Sequence, residues 1–233
     1  MIKKYFDYLY KSSDLLNRSN VEKSLEMLEK KGVLLDVGCW NGEHTLRWAS
    51  AVSAKQILGI ETVPKAAALA GKKGIKVYIK DVNTGRWPIK NESVDYVVST
   101  LVVEHLSNLD HFISESYRVL KKGGYTIVST NNLSSWHNVV SIILGWSPFD
   151  ISNSSEKQWS VGNPLALHVK EDLPLGKSYT HKCIYNPRWL KEWYELYGFK
   201  QTRVLGAGYY PLPPFLGNID KVHCAFITLT FKK

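Results

Sequence analysis

The segment at residues 34–45 constrains the fold more than any other part of the chain. It reads LLDVGCWNGEHT, with glycines at positions 38 and 42. The short apolar run at 33–37 ends in a glycine, which predicts a buried strand, and residues 43–51 have a helical pattern. A glycine-bearing turn between a strand and a helix is where a nucleotide-like ligand meets the strand ends of a doubly wound sheet.

Strand-like and helical segments alternate through the first half of the chain, which predicts a parallel sheet covered by helices on both faces. The predicted helices lie at 20–31 and 43–51, after a start signal at Thr62 and Pro64, and from Leu109 to a stop at Gly123-Gly124. The predicted strands lie at 33–37, 56–60, 75–79, 94–99 and 125–129.

The alternation breaks after Thr130 and resumes at Asn186-Pro187, which predicts a further helix ended by Gly198. The stretch between is rich in Ser, Asn, Pro, Trp and His, and only a short helix at 135–145 is predicted there. Two late strands are predicted near 200–206 and 222–231. We therefore predict one domain, made of an N-terminal helical segment (1–31), a cofactor-binding core (32–131), a cap-like insertion (132–185) and a C-terminal helix with strands (186–233).

The charge and the cysteine content indicate which binding partners and which cellular compartment are compatible with this chain. The chain has 233 residues with 30 basic and 21 acidic side chains, and the formal net charge of +9 is spread along its length. That spread disfavours nucleic acid as a partner. The three cysteines form no CxxC pair, which favours a reducing, cytoplasmic location and predicts no metal site. No apolar run is long enough to span a membrane, and the first residues lack a signal-peptide pattern.

The spacing of the glycine loop excludes the common phosphate-binding loops. A dinucleotide fingerprint needs GxGxxG, but Trp40 occupies the middle position, and no GK[ST] follows Gly42. The loop therefore suits an adenosine ligand without phosphates. Glu61 ends the second strand, where it can accept from the ribose hydroxyls, and Asp81 ends the third, where it can accept from the adenine amino group. Helix capping or loop formation is the alternative role of both acids.

These motifs, in this order, resemble the class I S-adenosylmethionine-dependent methyltransferases, and most closely the small-molecule branch called type 11. Besides the loop, Glu61 and Asp81, the resemblance includes SVDYVVS at 93–99, VEHL at 103–106 and RVLKKGG at 118–124. It covers about residues 32–131. It implies a Rossmann-like, doubly wound sheet of seven strands with the last one antiparallel, and a reaction that converts S-adenosylmethionine to S-adenosylhomocysteine.

The resemblance also implies which residues bind the cofactor. Asp36 and Gly38 would lie near its methionine part, and the residues after the fourth strand would flank the methyl group. The family usually has a glycine where Trp40 stands, which is a departure. The full implied set is Asp36, Gly38, Cys39, Trp40, Gly42, Glu61, Thr62, Asp81, Val82, Ser99, Thr100 and Leu101.

The acceptor side is predicted from histidines and aromatic residues. A hydroxyl acceptor needs a base, and His105 and His181 are the candidates, with simple packing as the alternative role. Residues 139–146 could instead contact a membrane surface. The insertion offers aromatic residues for an acceptor pocket, although they could equally close the sheet edge: Trp136, His137, Trp146, Trp159 and His168.

Three functions are compatible with these observations. The first is a small-molecule methyltransferase, O-directed, acting on a sugar, a lipid-linked compound or a secondary metabolite. The second is an RNA methyltransferase, which the net charge suggests but which usually has an (Asp/Asn/Ser)-Pro-Pro-aromatic element where this chain has Ser99-Thr100-Leu101-Val102. The third is a binding protein that keeps the fold without catalysis. The oligomeric state is not predicted.

Overall fold

A single mixed sheet organises the computed structural model, which describes residues 2–29, 32–155, 157–166 and 180–233. Within these residues the strand order is β3-β2-β1-β4-β5-β7-β6. Only β7 runs antiparallel to its neighbours, which confirms the predicted doubly wound sheet with an antiparallel last strand. The strands are β1 (Val33–Val37), β2 (Gln56–Glu61), β3 (Lys76–Ile79), β4 (Val94–Thr100), β5 (Leu120–Asn131), β6 (Lys200–Ala207) and β7 (Phe226–Lys232).

Helices cover the two faces of the sheet because successive strand side chains point to opposite sides. Leu34 of β1 lies in an apolar cluster with residues of α1 and α2, whereas Leu35 lies in another cluster with residues of α4 and α6. The helices are α1 (Ile2–Glu26), α2 (Glu43–Ala51), α3 (Pro64–Lys72), α4 (Leu109–Val119), α5 (Trp136–Ile143) and α6 (Pro187–Leu196).

Several predicted boundaries are wrong. Helix α4 ends at Val119 and not at the glycines, because Leu120 already pairs with Val94 and begins β5. Gly123 lies inside that strand with φ +79°, where the pairing with β4 shifts its register. Strand β7 begins at Phe226, four residues later than predicted. Helix α1 is far longer than the predicted 20–31, which covers only its last turns.

The predicted cap of α3 is also wrong. Val63 and not Thr62 occupies the N-cap position, and no side chain caps the helix. Instead, the Val63 amide donates to Glu61 Oε1 at 2.8 Å. An acid at the end of β2 therefore supplies the acceptor that a helix start needs.

Helix α1 docks on the sheet through buried amides. Asn17 Oδ1 accepts from Ser129 Oγ of β5 at 2.7 Å and from Thr228 Oγ1 of β7 at 3.2 Å. Asn20 Nδ2 donates to the Gly206 carbonyl of β6 at 3.0 Å. These bonds fix the helix across three strands, and they bring its Tyr10 to the open end of the sheet.

The segment 132–185 begins and ends at one place, because Asn132 and Tyr185 form an isolated parallel bridge. The Asn132 side chain also donates to the Cys224 carbonyl at 2.7 Å, which ties the start of the segment to the approach to β7. None of the helices formed by the described residues combines the length and the apolar character needed to cross a membrane.

We expect Asn17→Ala to lower the free energy of unfolding by about 1–3 kcal/mol, because two buried hydroxyls lose their acceptor. Urea denaturation measures this as a lower midpoint with an unchanged m value. Lys23→Ala, on the exposed side of the same helix, is the control and should change the free energy by less than about 0.5 kcal/mol. Equal effects of the two substitutions would contradict the docking role of Asn17.

Candidate active site

A cleft with a volume of about 1090 Å³ opens at the carboxyl ends of β1, β2 and β4. This is where ligands bind in open α/β sheets, beside the point at which the strand order reverses. All predicted site residues except Gly42 and Ser99 lie on its wall: Asp36, Gly38, Cys39, Trp40, Glu61, Thr62, Asp81, Val82, Thr100, Leu101, His105 and His181.

The two glycines of the loop are required for different reasons. Gly38 has φ +80°, and a Cβ there would lie 2.4 Å from Val102 Cγ2. Gly42 has φ +76° and begins α2, and its Cβ would lie 2.4 Å from Ile75 Cδ1. Gly42 thus allows the loop to pack against its neighbours behind the cleft wall, which differs from the predicted contact with a cofactor.

Trp40 adopts the backbone conformation that a glycine would favour. Its φ is +47°, in the left-handed region that a bulky residue rarely occupies. Its amide donates to Glu61 Oε2 at 2.9 Å, which holds the loop against the end of β2. Trp40 therefore holds a left-handed backbone conformation that glycine adopts more readily. Beside it, burial raises the pKa of the Cys39 thiol, so this group stays protonated.

Glu61 and Asp81 both organise their own loops. Glu61 Oε1 accepts from the Val63 amide at 2.8 Å and from the Thr62 hydroxyl at 3.4 Å. Oε2 accepts from the Trp40 amide, so this oxygen keeps a second lone pair for a ligand. Asp81 Oδ1 accepts from the amide and the side chain of Asn83, at 2.9 and 2.8 Å. The structural roles weighed in the sequence analysis are thus present, while both carboxylates still face the cleft.

Asp36 has one satisfied and one unsatisfied oxygen. Oδ2 accepts from Thr45 Oγ1 at 2.5 Å, while Oδ1 is buried without a hydrogen-bond partner. Burial raises the pKa of Asp36 to about 7, with a further increase from the charge of Glu61, against the lowering effect of the Thr45 hydrogen bond. The group is ready to ionise beside a positively charged ligand.

The residues after β4 take different positions. Ser99 is fully buried within the strand and does not line the cleft, whereas Thr100 and Leu101 do. Leu101 has φ +54° and donates its amide to the Ser129 carbonyl at 2.8 Å. Non-glycine residues in this conformation often occur at functional sites.

His105 and His181 meet on the same wall, although 75 residues separate them in sequence. Their ring centroids are 4.8 Å apart in an edge-to-face arrangement. His105 Nδ1 donates to the Thr180 carbonyl at 3.2 Å, and His181 Nδ1 donates to the Asp150 carbonyl. Burial, with a contribution from His181, lowers the pKa of His105 to about 4. His105 is therefore neutral at physiological pH.

Comparison with known proteins agrees with this geometry. Residues 35–128 match a family model described as a methyltransferase domain. A probable S-adenosylmethionine-dependent methyltransferase of Mycolicibacterium smegmatis is 33% identical over 99 residues, which are 42% of this chain and 38% of that protein. These matches support a methyltransferase domain of the class I S-adenosylmethionine-dependent kind over residues 35–128. The match spans well under two thirds of that relative's length.

Two further comparisons extend the methyltransferase likeness. A ubiquinone biosynthesis O-methyltransferase of Rickettsia canadensis is 32% identical over 135 residues, covering 53% of this chain and 55% of that protein. The crystal structure of a methyltransferase from Thermotoga maritima, described as a possible histamine N-methyltransferase, superposes with a TM-score of 0.63 at 19% identity. That alignment covers 100% of this chain and 96% of the other, and it shows the shared fold.

The sequence analysis did not select Glu104, which adjoins the two histidines. Glu104 is fully buried, and its Oε2 accepts from Thr130 Oγ1 at 2.9 Å while Oε1 has no hydrogen-bond partner. Burial raises its pKa to about 8, against the lowering effect of its hydrogen bonds. The sequence feature that could have identified Glu104 is an acidic residue directly after apolar residues in the segment 103–106.

Asp150 is a second acid that sequence reasoning missed, and no sequence pattern marks it. Asn131 Nδ2 and Asn138 Nδ2 each donate to its carboxylate at 2.7 Å, and His137 Nε2 lies 3.2 Å from Oδ2. Burial alone would raise the pKa of Asp150, but hydrogen bonds led by that from His137 lower it to about 2. It is therefore ionised, and it lines the cleft.

The predicted acceptor aromatics are mostly placed elsewhere. Trp159 lines the cleft, but Trp136 donates to Tyr209 Oη at 2.8 Å and stacks on His223 outside it. Neither His137, which contacts Asp150, nor Trp146 lines the cleft. The predicted contact of His168 lies outside the described residues.

No metal site was predicted from the sequence, and in the structure three side chains with potential ligand atoms come together. Glu104, His105 and His181 each offer one ligand atom, and these atoms lie within 4.8 Å of one another. The sequence did not reveal this group because His181 comes from the 132–185 segment, whose path the sequence pattern does not fix.

Asp36 is expected to make the unliganded protein less stable as pH rises. Its pKa increases from about 3.8 in the unfolded chain to about 7 in the folded one, so the unfolded state loses the proton first. Its stabilising contribution is complete below pH 4 and is lost as pH rises through 7. We expect Asp36→Asn to reduce the fall in unfolding free energy between pH 5 and pH 8 by on the order of a few kcal/mol.

Urea denaturation at the two pH values measures this difference. Asp7→Asn, an exposed change on α1, is the control and should leave the pH dependence of the native protein unaltered. Identical pH dependence in Asp36→Asn and the native protein would show that Asp36 ionises normally in the folded state.

Proposed function

We propose that this protein transfers the methyl group of S-adenosylmethionine to a hydroxyl of a small-molecule acceptor. The proposal rests on the arrangement of side chains around one cleft. Acids at the ends of three consecutive parallel strands line one part of its wall, and the His105–His181 pair lines another. The methyltransferase family model spans the same strands and loops.

The cleft residues fit this cofactor. The unsatisfied Asp36 Oδ1 suits the positively charged methionine end, since a cation there replaces a missing hydrogen bond. Glu61 and Asp81 keep acceptor capacity for the ribose hydroxyls and the adenine amino group. Thr100 and Leu101 would then flank the methyl group. The sulfonium supplies an activated methyl carbon when the cofactor is bound.

The protein's own contribution is to hold the acceptor oxygen in line with that carbon and to exclude water. His105 and His181 are the groups that act on the acceptor hydroxyl. Their Nδ1 atoms donate to the Thr180 and Asp150 carbonyls, which fixes the proton of each ring on Nδ1. The named activity of the Rickettsia relative supports transfer to oxygen.

Glu61→Gln should weaken binding of S-adenosylhomocysteine by about 10- to 100-fold. The change removes the charge that strengthens the hydrogen bonds to the ribose and to the Trp40 amide. Isothermal titration calorimetry with S-adenosylhomocysteine measures the loss. Glu195→Gln, on the exposed surface of α6, is the matched control and should bind like the native protein. Unchanged affinity in Glu61→Gln would remove Glu61 from the cofactor site.

His105→Ala and His181→Ala should each lower methyl transfer by about 10²- to 10⁴-fold and leave affinity for S-adenosylhomocysteine nearly unchanged. Transfer of labelled methyl from S-adenosylmethionine to a panel of phenols and sugars measures the rate. His111→Ala, whose imidazole contacts the Gly85 carbonyl elsewhere, is the control. Full turnover by both cleft variants would contradict the acceptor role of the histidines.

A further inference from the structure

Three side chains from two distant parts of the chain converge on the acceptor side of the cleft. Glu104 and His105 belong to the short 3-10 turn after β4, and His181 comes from the 132–185 segment. One potential ligand atom from each lies within 4.8 Å of the other two. No other group of three His, Cys, Asp or Glu side chains is arranged in this way in the part of the chain that the structure describes.

The buried carboxylate of Glu104 gives independent evidence for a ligand. Thr130 Oγ1 donates to Oε2, but Oε1 is buried and has no hydrogen-bond partner. A buried polar atom left unsatisfied costs about 1–3 kcal/mol, and more when it is charged. A bound cation would remove that cost.

The two imidazoles are oriented as metal ligands are. Carbonyl oxygens can only accept hydrogen bonds, so the Thr180 and Asp150 carbonyls require a proton on Nδ1 of His105 and of His181. In this tautomer, Nε2 is the nitrogen through which each ring would coordinate a cation. Backbone carbonyls hold metal-bound histidines in the same way in many proteins.

We propose that Glu104, His105 and His181 bind a divalent transition-metal cation. Two imidazole nitrogens and one carboxylate oxygen favour Zn²⁺, or a similar cation, over Mg²⁺ and Ca²⁺, which prefer oxygen ligands. Bonds of roughly 2.0–2.2 Å place tetrahedral ligand atoms about 3.4 Å apart. Binding would draw the three ligand atoms, which lie within 4.8 Å of one another, to that separation.

Charges around the cluster are compatible with a cation. The ionised carboxylate of Asp150 lines the same cleft, and its carbonyl already holds His181. The ammonium group of Lys182 is the opposing charge on this wall. Asp150 thus offsets the charge of Lys182, and Glu104 would add a negative charge where a bound cation replaces its proton.

Three protein ligands leave a coordination position for the acceptor, as in catalytic zinc sites. The role of that position in methyl transfer rests on the proposed function, whereas cation binding itself does not. A metal-bound hydroxyl loses its proton to solvent more readily. The resulting oxygen forms a bond to the methyl carbon while the carbon–sulfur bond breaks, which leaves S-adenosylhomocysteine.

Titration of the chelator-treated full chain with Co²⁺ tests the site without any acceptor. We expect one Co²⁺ per chain, with the visible absorption of low-coordinate Co²⁺, and its displacement by Zn²⁺ but not by Mg²⁺. Glu104→Gln and His181→Ala should each weaken Co²⁺ binding at least 10-fold. His111→Ala, outside the cluster, should bind Co²⁺ like the native chain.

His181→Ala tests the proposal even where Glu104→Gln fails to fold, because His181 is only partly buried; thermal melts establish which variants are folded. Absence of Co²⁺ and Zn²⁺ binding by the native chain would overturn the proposal, as would unchanged binding by folded His181→Ala. Titration of the same samples with S-adenosylhomocysteine separates the two proposals. Binding of S-adenosylhomocysteine without Co²⁺ binding rejects the metal site alone, and the converse result rejects the proposed cofactor.

Discussion

The parallel pairing of β1 with both β2 and β4 is the constraint on which the rest of the structure depends. Gly59 of β2 and Val98 of β4 both pair with Asp36, so the carboxyl ends of the three strands meet at one edge. The strand order reverses beside β1, and the connections therefore leave a cleft there. Every acid assigned to the cofactor follows from this register, because each ends or follows a strand at that edge.

Hydrogen bonds to β2 hold the loop after β1 in its conformation. The Gly38 amide donates to the Ile60 carbonyl at 2.8 Å, and the Trp40 amide donates to Glu61, so β2 holds the loop at two points. These bonds explain how a tryptophan can occupy a left-handed position. Glu61 thereby couples the shape of the loop to the end of the strand that faces the ligand.

The sequence predicts the core of the fold because local pattern and global structure agree there. Apolar runs, glycines and terminal acids are spaced by the strands and helices themselves, so they specify β1 to β4 within one or two residues. Prediction fails where contacts between residues distant in sequence determine the structure. Leu120 joins the sheet through Val94 and ends α4 early, and the buried side-chain amides of α1 find hydrogen-bond partners on strands more than a hundred residues away. For the same reason, the sequence does not reveal that His181 lies close to Glu104.

Three buried carboxyl groups in this cleft differ in how far the protein satisfies them. Asp150 accepts from three side chains and stays ionised, so it needs no ligand. Asp36 and Glu104 each have one oxygen bonded to a threonine hydroxyl and the other without a partner, and burial raises both pKa values. On the wall of a cleft, such incomplete carboxyl groups point to a ligand that completes them. The methionine end of the cofactor would complete Asp36, and a cation shared with two histidines would complete Glu104.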